Sequence, residues 1–190
     1  KEKHQKREIQ PLITTMVEMY EMKANWNFYV FIGGTNWGFM NGANGGAGEI
    51  GHLILYPNGL VCGCGRPGCS EQYVSGTALK RLIKEEHVID PTTGELAKPH
   101  TLFKLASREI ESAKRARDRF IADFAIVLST LQAVIDMDCI VIGGGVSESA
   151  DEWWDLLIAK VKPLLLKPVE IKRAQFGNEA GMLGAAMLVV

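Results

Sequence analysis

Gly48-Glu49-Ile50-Gly51-His52, followed ten residues after the histidine by Cys62-Gly63-Cys64-Gly65-Arg66-Pro67-Gly68-Cys69-Ser70-Glu71, is the stretch from which the rest of the chain is best read. His52, Cys62, Cys64 and Cys69 follow one another at steps of ten, two and five. Three thiolates and one imidazole fill a tetrahedral zinc shell with no open position, so the spacing predicts a structural ion rather than a catalytic one. Pro67 stiffens the turn, and the glycines around it let the backbone wrap closely. The competing reading is a set of reduced surface thiols with no metal. Zinc binding in small domains is worth roughly 10 to 16 kcal/mol, against a domain stability of about 5 to 15 kcal/mol. An ion here could decide whether the loop is ordered at all.

Two carboxylates flank the ligands. Glu49 lies three residues before His52 and Glu71 two after Cys69. Fixing both ends of the intervening segment draws them toward one locale, where carboxylates beside a glycine-rich loop suit the vicinal hydroxyls of a sugar. On spacing alone, Glu71 reads equally well as an acidic residue at a helix N-terminus, held by the dipole.

The wider composition sets limits on class. The chain has 190 residues, 47% hydrophobic and 23% charged, close to globular averages and away from disorder or coiled coil. No apolar run approaches the roughly 18 residues of a membrane helix, and Lys1 to Glu8 has no secretory pattern. A formal charge of -1 gives no electrostatic footprint for nucleic acid or anionic lipid. With three of four cysteines inside Cys62 to Cys69 and no export signal, metal binding is preferred to disulfides, and a cytoplasmic location is expected. Cys139, within Cys-Ile-Val-Ile, reads as an inert core thiol.

Periodicity supplies the elements. Helices are expected over Ile9 to Lys23, Glu71 to His87, Thr101 to Ser107, Arg115 to Met137, Glu152 to Leu166 and Glu179 to Val190. Strands are expected over Asn27 to Ile32, Leu53 to Tyr56, Cys139 to Ile142 and Val169 to Arg173. Gly33 to Gly51, with eight glycines, reads as a long loop, and Val88 to Pro99 as a connector. Arg115 to Met137, apolar on most sides after a charged start, is expected to be buried. Gly143-Gly144-Gly145 is expected to make a tight turn, and Trp153 and Trp154 to anchor core or interface. The strand, helix, strand, helix order toward the C-terminus argues for an α/β layer.

The metal stretch, continued through Ser75-Gly76-Thr77-Ala78-Leu79, resembles the signature of the ROK family of repressors, open reading frames and sugar kinases. So do Ile140-Val141-Ile142-Gly143-Gly144-Gly145-Val146-Ser147 and Ala180-Gly181-Met182-Leu183-Gly184-Ala185-Ala186. The resemblance covers roughly residues 42–190. It implies an α/β, actin-like or hexokinase-like ATPase fold, here as the C-terminal lobe over residues 45–190. By position, it also implies sugar contacts at Glu49, His52 and Glu71, with His52 doubling as a zinc ligand. Gly143, Gly144 and Gly145 would lie near the adenosine of ATP, although by itself the triplet is an ordinary strand-to-helix turn. The reaction implied is γ-phosphoryl transfer from ATP to a hydroxyl of a hexose or N-acetylhexosamine, with Mg2+ bridging the phosphates. Homo-oligomers are common in the family.

Two family motifs are absent from the sequence. Gly33-Gly34-Thr35 lacks the aspartate that opens the family's phosphate loop, and no Asn-Asp dipeptide supplies the general base. A kinase needs such a base within hydrogen-bond reach of the attacking hydroxyl, so the chain by itself is expected not to phosphorylate sugar.

Residues 1–44 resemble something else. Trp26-Asn27-Phe28-Tyr29-Val30-Phe31-Ile32-Gly33-Gly34-Thr35-Asn36-Trp37-Gly38-Phe39 and the residues through Asn44 are similar to a late barrel strand of lysosomal-type retaining β-galactosidases. A seam between the two resemblances falls between Asn41 and Gly46. A barrel strand without its partners is expected to pack loosely or to borrow an edge of the kinase-like sheet. Two further functional readings stand beside the kinase: a ROK-type sugar-responsive regulator, for which neither a helix-turn-helix nor a basic patch is seen, and a glycoside hydrolase, for which the paired carboxylates are not found.

Overall fold

The computed structural model describes residues 49–135, 137 and 139–174, all of which fall in one compact unit. The helix expected over Ile9 to Lys23, the strand over Asn27 to Ile32, nearly all of the glycine-rich loop, the expected seam and the final helix lie outside the described residues.

Four α-helices and two strands build the described part. They are α1 (Gly76–Glu85), α2 (Pro99–Ser107), α3 (Glu111–Val134), β1 (Cys139–Ile142), α4 (Trp154–Val161) and β2 (Glu170–Arg173). Strands β1 and β2 pair in parallel, with Cys139 opposite Glu170 and Ile142 opposite Arg173. Parallel neighbours require a crossover, and α4 supplies it. The strand–helix–strand order read from the sequence is therefore a βαβ unit.

Each helix begins and ends for a local reason. Ser75, in extended backbone, accepts a hydrogen bond from the Ala78 N–H at 3.0 Å and caps α1. This is why the helix starts at Gly76 and not at Glu71 as expected. Ser70–Gln72 instead forms a separate 3-10 turn. At the other end His87 adopts φ 50°, and the Val88 N–H reaches back to the Ile83 carbonyl at 2.9 Å, a Schellman-type stop made without glycine. Helix α2 opens with Pro99 in its first turn and closes the same way, with Glu109 at φ 62° and Ile110 N–H on Leu105 O.

The apolar stripe of α1 (Ala78, Leu79, Leu82, Ile83) packs with Leu102 and Phe103 of α2 and Phe120, Phe124 and Leu128 of α3. An aromatic chain runs through the centre. Phe103 lies 6.1 Å from Phe120 and 5.8 Å from Trp153, and Phe124 lies 6.2 Å from Trp153. Trp153 is 1% exposed and donates from its indole nitrogen to Ser149 Oγ, as a core anchor should.

Some expectations need correction. Helix α3 is not buried all round: Ile126 is 39% and Val134 75% exposed. Its buried set follows a single stripe that includes Gln132, whose Oε1 accepts from the Leu166 N–H at 3.1 Å. The strand expected over Leu53 to Tyr56 shrinks to one antiparallel bridge, Ile54 with Cys69. The connector over Val88 to Pro99 gains a bridge between Ile89 and Leu96. Cys139 is half-buried at the open end of β1 rather than sealed in the core.

Candidate metal centre

The backbone of residues 53–70 folds into a hairpin-like loop closed at its base. Leu55 N–H and Tyr56 N–H both point to the Gly68 carbonyl, at 2.8 and 3.2 Å, and Ser70 N–H donates to Leu53 O at 2.8 Å. Gly68 has φ +80°, and a Cβ there would collide with the Tyr56 carbonyl, so the position admits only glycine. Further out, Cys62 N–H donates to Arg66 O and Gly65 N–H to Cys62 O, each at 2.9 Å, forming the tight turn that carries Cys64.

This folding gathers all four sequence-predicted ligands. The donor atoms of His52, Cys62, Cys64 and Cys69 all lie within 4.8 Å of one another. Cys64 Sγ is 3.6 Å from Cys69 Sγ, and Cys62 Sγ is 3.7 Å from His52 Nδ1. A tetrahedron with Zn–S bonds of about 2.3 Å has edges of about 3.8 Å. The Cys64–Cys69 and Cys62–His52 separations match such an edge, and the donor set of three thiols and one imidazole fits zinc. The cluster could hold a metal.

The exposed Cys64 and the buried Cys69 differ in protonation. Hydrogen bonds from the backbone and then the side chain of Arg66 draw the exposed Cys64 thiol down to about 6. Burial pushes Cys69 up to about 11. Arg66 also donates to the His52 carbonyl at 3.2 Å, tying the two sides of the loop together. A metal would bind both sulfurs as thiolates.

Glu71 joins the cluster: its Oε2 lies 3.6 Å from Cys62 Sγ. Glu71 lies in the first turn of the short 3-10 helix Ser70–Gln72, not at the start of α1. Glu49 opens the turn Ile50–His52, with its carbonyl accepting from the His52 N–H at 2.9 Å. Ser70, fully buried, donates from its hydroxyl to Ile50 O at 2.7 Å and so fastens the Glu71 turn to the His52 turn.

Gly143, Gly144 and Gly145 do form the turn after β1. Gly144 carries φ 87°, and a Cβ on Gly143 would come within 2.9 Å of Ala174 Cβ. A cavity of about 10 Å³ beside them, lined by Val74, Ser75, Phe120, Phe124, Gly143 and Ser147, barely accommodates one water. It places the glycine turn against the segment that follows the metal loop.

Sequence reading missed the strut beneath the loop. Tyr56 Oη donates to Asp123 Oδ1 of α3 at 2.5 Å, and the Tyr73 ring stands edge-on to Tyr56 at 4.7 Å. Tyr73 Oη accepts from the Leu60 N–H at 2.7 Å. The hydrogen bond to Asp123 pushes Tyr56 up to about 12, while burial raises the Asp123 carboxyl above the usual aspartate range. A single carboxylate between Ala122 and Phe124, in the apolar half of a long helix, was the one available signal.

Residues 29–190 match the ROK family, and residues 1–51 match Glycosyl hydrolases family 35. Among curated proteins, the chain is 33% identical over 153 residues to N-acetylmannosamine kinase of Escherichia coli O9:H4 (strain HS), covering 78% of this chain and 49% of that protein. It is 35% identical over 160 residues to glucokinase of Streptomyces coelicolor, covering 76% and 50%. The chain therefore spans about half the length of the curated relatives it matches. Among solved structures, a ROK family glucokinase from Streptomyces griseus in complex with glucose and AMPPNP aligns with TM-score 0.68 and 28% identity, over 78% of this chain and 53% of that one. ROK hexokinase from Thermus thermophilus aligns with TM-score 0.65 and 32% identity, over 78% and 49%. With the metal-loop motif, the α/β architecture and these matches in agreement, the chain belongs to the ROK family and has its actin-like, hexokinase-like fold.

Proposed function

We propose that this chain is the sugar-binding, zinc-holding part of an ATP-dependent hexose or N-acetylhexosamine kinase. The observation that carries this reading is the joining of Glu71 to the four-ligand cluster, 3.6 Å from Cys62 Sγ. Zinc bound by His52, Cys62, Cys64 and Cys69 has no vacant position, so it supplies rigidity and not Lewis acidity. The residues do the recognition. Glu71 and Glu49 accept hydrogen bonds from adjacent sugar hydroxyls, and the outer edge of the His52 ring adds a third contact. Zinc-bound thiolates suit a reducing, cytoplasmic setting. By the family resemblance, the nucleotide of ATP approaches Gly143, Gly144 and Gly145, with Mg2+ on its phosphates. The similarity to kinases of glucose and N-acetylmannosamine supports the substrate class.

Calorimetric titration with glucose, N-acetylmannosamine and galactose, before and after zinc chelation, tests the proposal. Binding of glucose or N-acetylmannosamine that disappears with the metal is the expected result. Failure of the zinc-loaded chain to bind either sugar would overturn it, as would binding of galactose indifferent to chelation. Because the 190 residues contain no Asn-Asp dipeptide, the chain assayed by itself is expected to give no turnover in a coupled ATP/glucose assay.

A further inference from the structure

The three sulfurs of the metal loop are not equivalent. Cys64 is exposed at the apex of its turn, whereas Cys62 and Cys69 retain 3% and 0% of their surface. Cys62 faces His52 and Glu71, at 3.7 and 3.6 Å. Cys64 faces Cys69 at 3.6 Å. A disulfide needs the sulfurs to close to about 2.05 Å, an approach of about 1.6 Å from here. The four residues between them include Gly65 and Gly68, both in left-handed backbone, and Gly65 has open space around it. Cys62 and Cys64, one residue apart, would close a much tighter ring. The loop therefore presents one exposed sulfur, Cys64, with Cys69 Sγ 3.6 Å away across a glycine-bearing turn and Cys62 Sγ, also within 4.8 Å, disfavoured by the tighter ring it would close.

We propose that Cys64 and Cys69 form a reversible oxidation site that, on reaction with hydrogen peroxide, ejects the metal and releases the sugar loop. The proposal rests on the zinc and sugar-binding reading above. The Cys64 thiolate attacks one peroxide oxygen, and the O–O bond breaks. Cys64 becomes a sulfenic acid, and the departing hydroxide takes a proton to leave as water. The Cys69 thiolate then attacks the Cys64 sulfur. The S–S bond forms, the S–O bond breaks, and the second hydroxide takes a proton and leaves as water. Two thiolates, one peroxide and two protons give one disulfide and two waters, the sulfurs losing the two electrons that the peroxide gains. Only His52 and Cys62 remain as ligands, too few to hold a structural zinc ion. Glu71 then loses the fixed neighbour that holds it in place for sugar.

The test uses the full chain with Cys139→Ser, so that only loop thiols react. Hydrogen peroxide is titrated into zinc-loaded protein, and zinc release is followed with a chromogenic chelator. Peptide mass spectrometry maps the cross-link, and calorimetry with glucose and N-acetylmannosamine reads the loop. Zinc release should track a Cys64–Cys69 cross-link. Sugar affinity should fall at least about tenfold, the worth of one charge-assisted hydrogen bond, and recover with dithiothreitol and zinc. A cross-link through Cys62, sulfinic acid without any cross-link, or zinc release that precedes thiol loss would overturn the proposal.

A parallel arm oxidises metal-stripped protein and maps the same peptides. If the protein as purified carries no zinc yet cross-links Cys64 to Cys69 and loses sugar affinity, the zinc reading fails and the oxidation site stands. If zinc is present and the cross-link does not form, the oxidation site fails and the zinc reading stands.

Discussion

Tyr56 shows how much one hydroxyl can do for a loop with little core of its own. Its backbone closes the hairpin onto Gly68, and its side chain reaches Asp123 on α3, sixty-seven residues away. The bond needs the phenol protonated. Tyr56 rises from 10.0 to about 12 in the folded chain, so folding favours its neutral form. By linkage, the stabilisation is fully present below pH 10, the unfolded value, and is lost as pH rises through about 12. Chemical denaturation of wild type and Tyr56→Phe across that window checks this: the wild type should lose stability more steeply, and the two should converge at the alkaline end. Parallel curves would remove the bond from the account. Legibility at this scale was uneven. The clustering of His52, Cys62, Cys64 and Cys69 was legible because thiol and imidazole at short spacings have few uses other than gathering round a metal. The partnership of Tyr56 and Asp123 does not, because no local pattern encodes a contact across so many residues.

At the level of elements, the apolar stripes were legible and the ends were not. Leu79, Leu82 and Ile83 mark one buried face of α1 as their spacing predicts. The start was misplaced because Val74 and Tyr73 extend the stripe, while the Ser75 hydroxyl takes the Ala78 N–H and halts the helix there. Ser75→Ala should cost about 1 kcal/mol of stability, as other lost helix caps do. Thermal or urea denaturation measures it, and an unchanged midpoint would show the cap to be dispensable. Ser75 also lines the small cavity against Gly143, so the cap sits where the metal-loop segment meets the glycine turn. The far end of α1 was misread for a different reason. His87 takes the left-handed conformation that usually belongs to glycine or asparagine, so the stop had no residue signature. Strand β1 and its partner β2 were readable because each is a short run between breakers, and the intervening helix forces the parallel pairing.

On the scale of the molecule, the fold class was legible because strand, helix, strand order leaves few alternatives once a metal-loop motif fixes the family. What the order could not give was the local reach between layers. The Phe103, Phe120, Phe124 and Trp153 chain joins α2, α3 and the approach to α4, and it places a rigid body under the metal loop. Tyr56 on Asp123 and Tyr73 on Leu60 then transmit that rigidity to the hairpin. In this arrangement the helical core positions the loop, the His52, Cys62, Cys64 and Cys69 cluster lies within it, and Glu71 stands 3.6 Å from Cys62 Sγ; under the proposed function a metal in that cluster would set the loop's shape. The proposed function depends on the loop being held, so the proposed ion is the point on which the account turns. Elemental analysis of purified, tag-free chain tests it most directly. About one zinc per chain, retained through gel filtration and lost together with His52→Ala or Cys69→Ala, as expected for a closed four-ligand site, is the predicted result; chain that elutes folded with no stoichiometric zinc would contradict it.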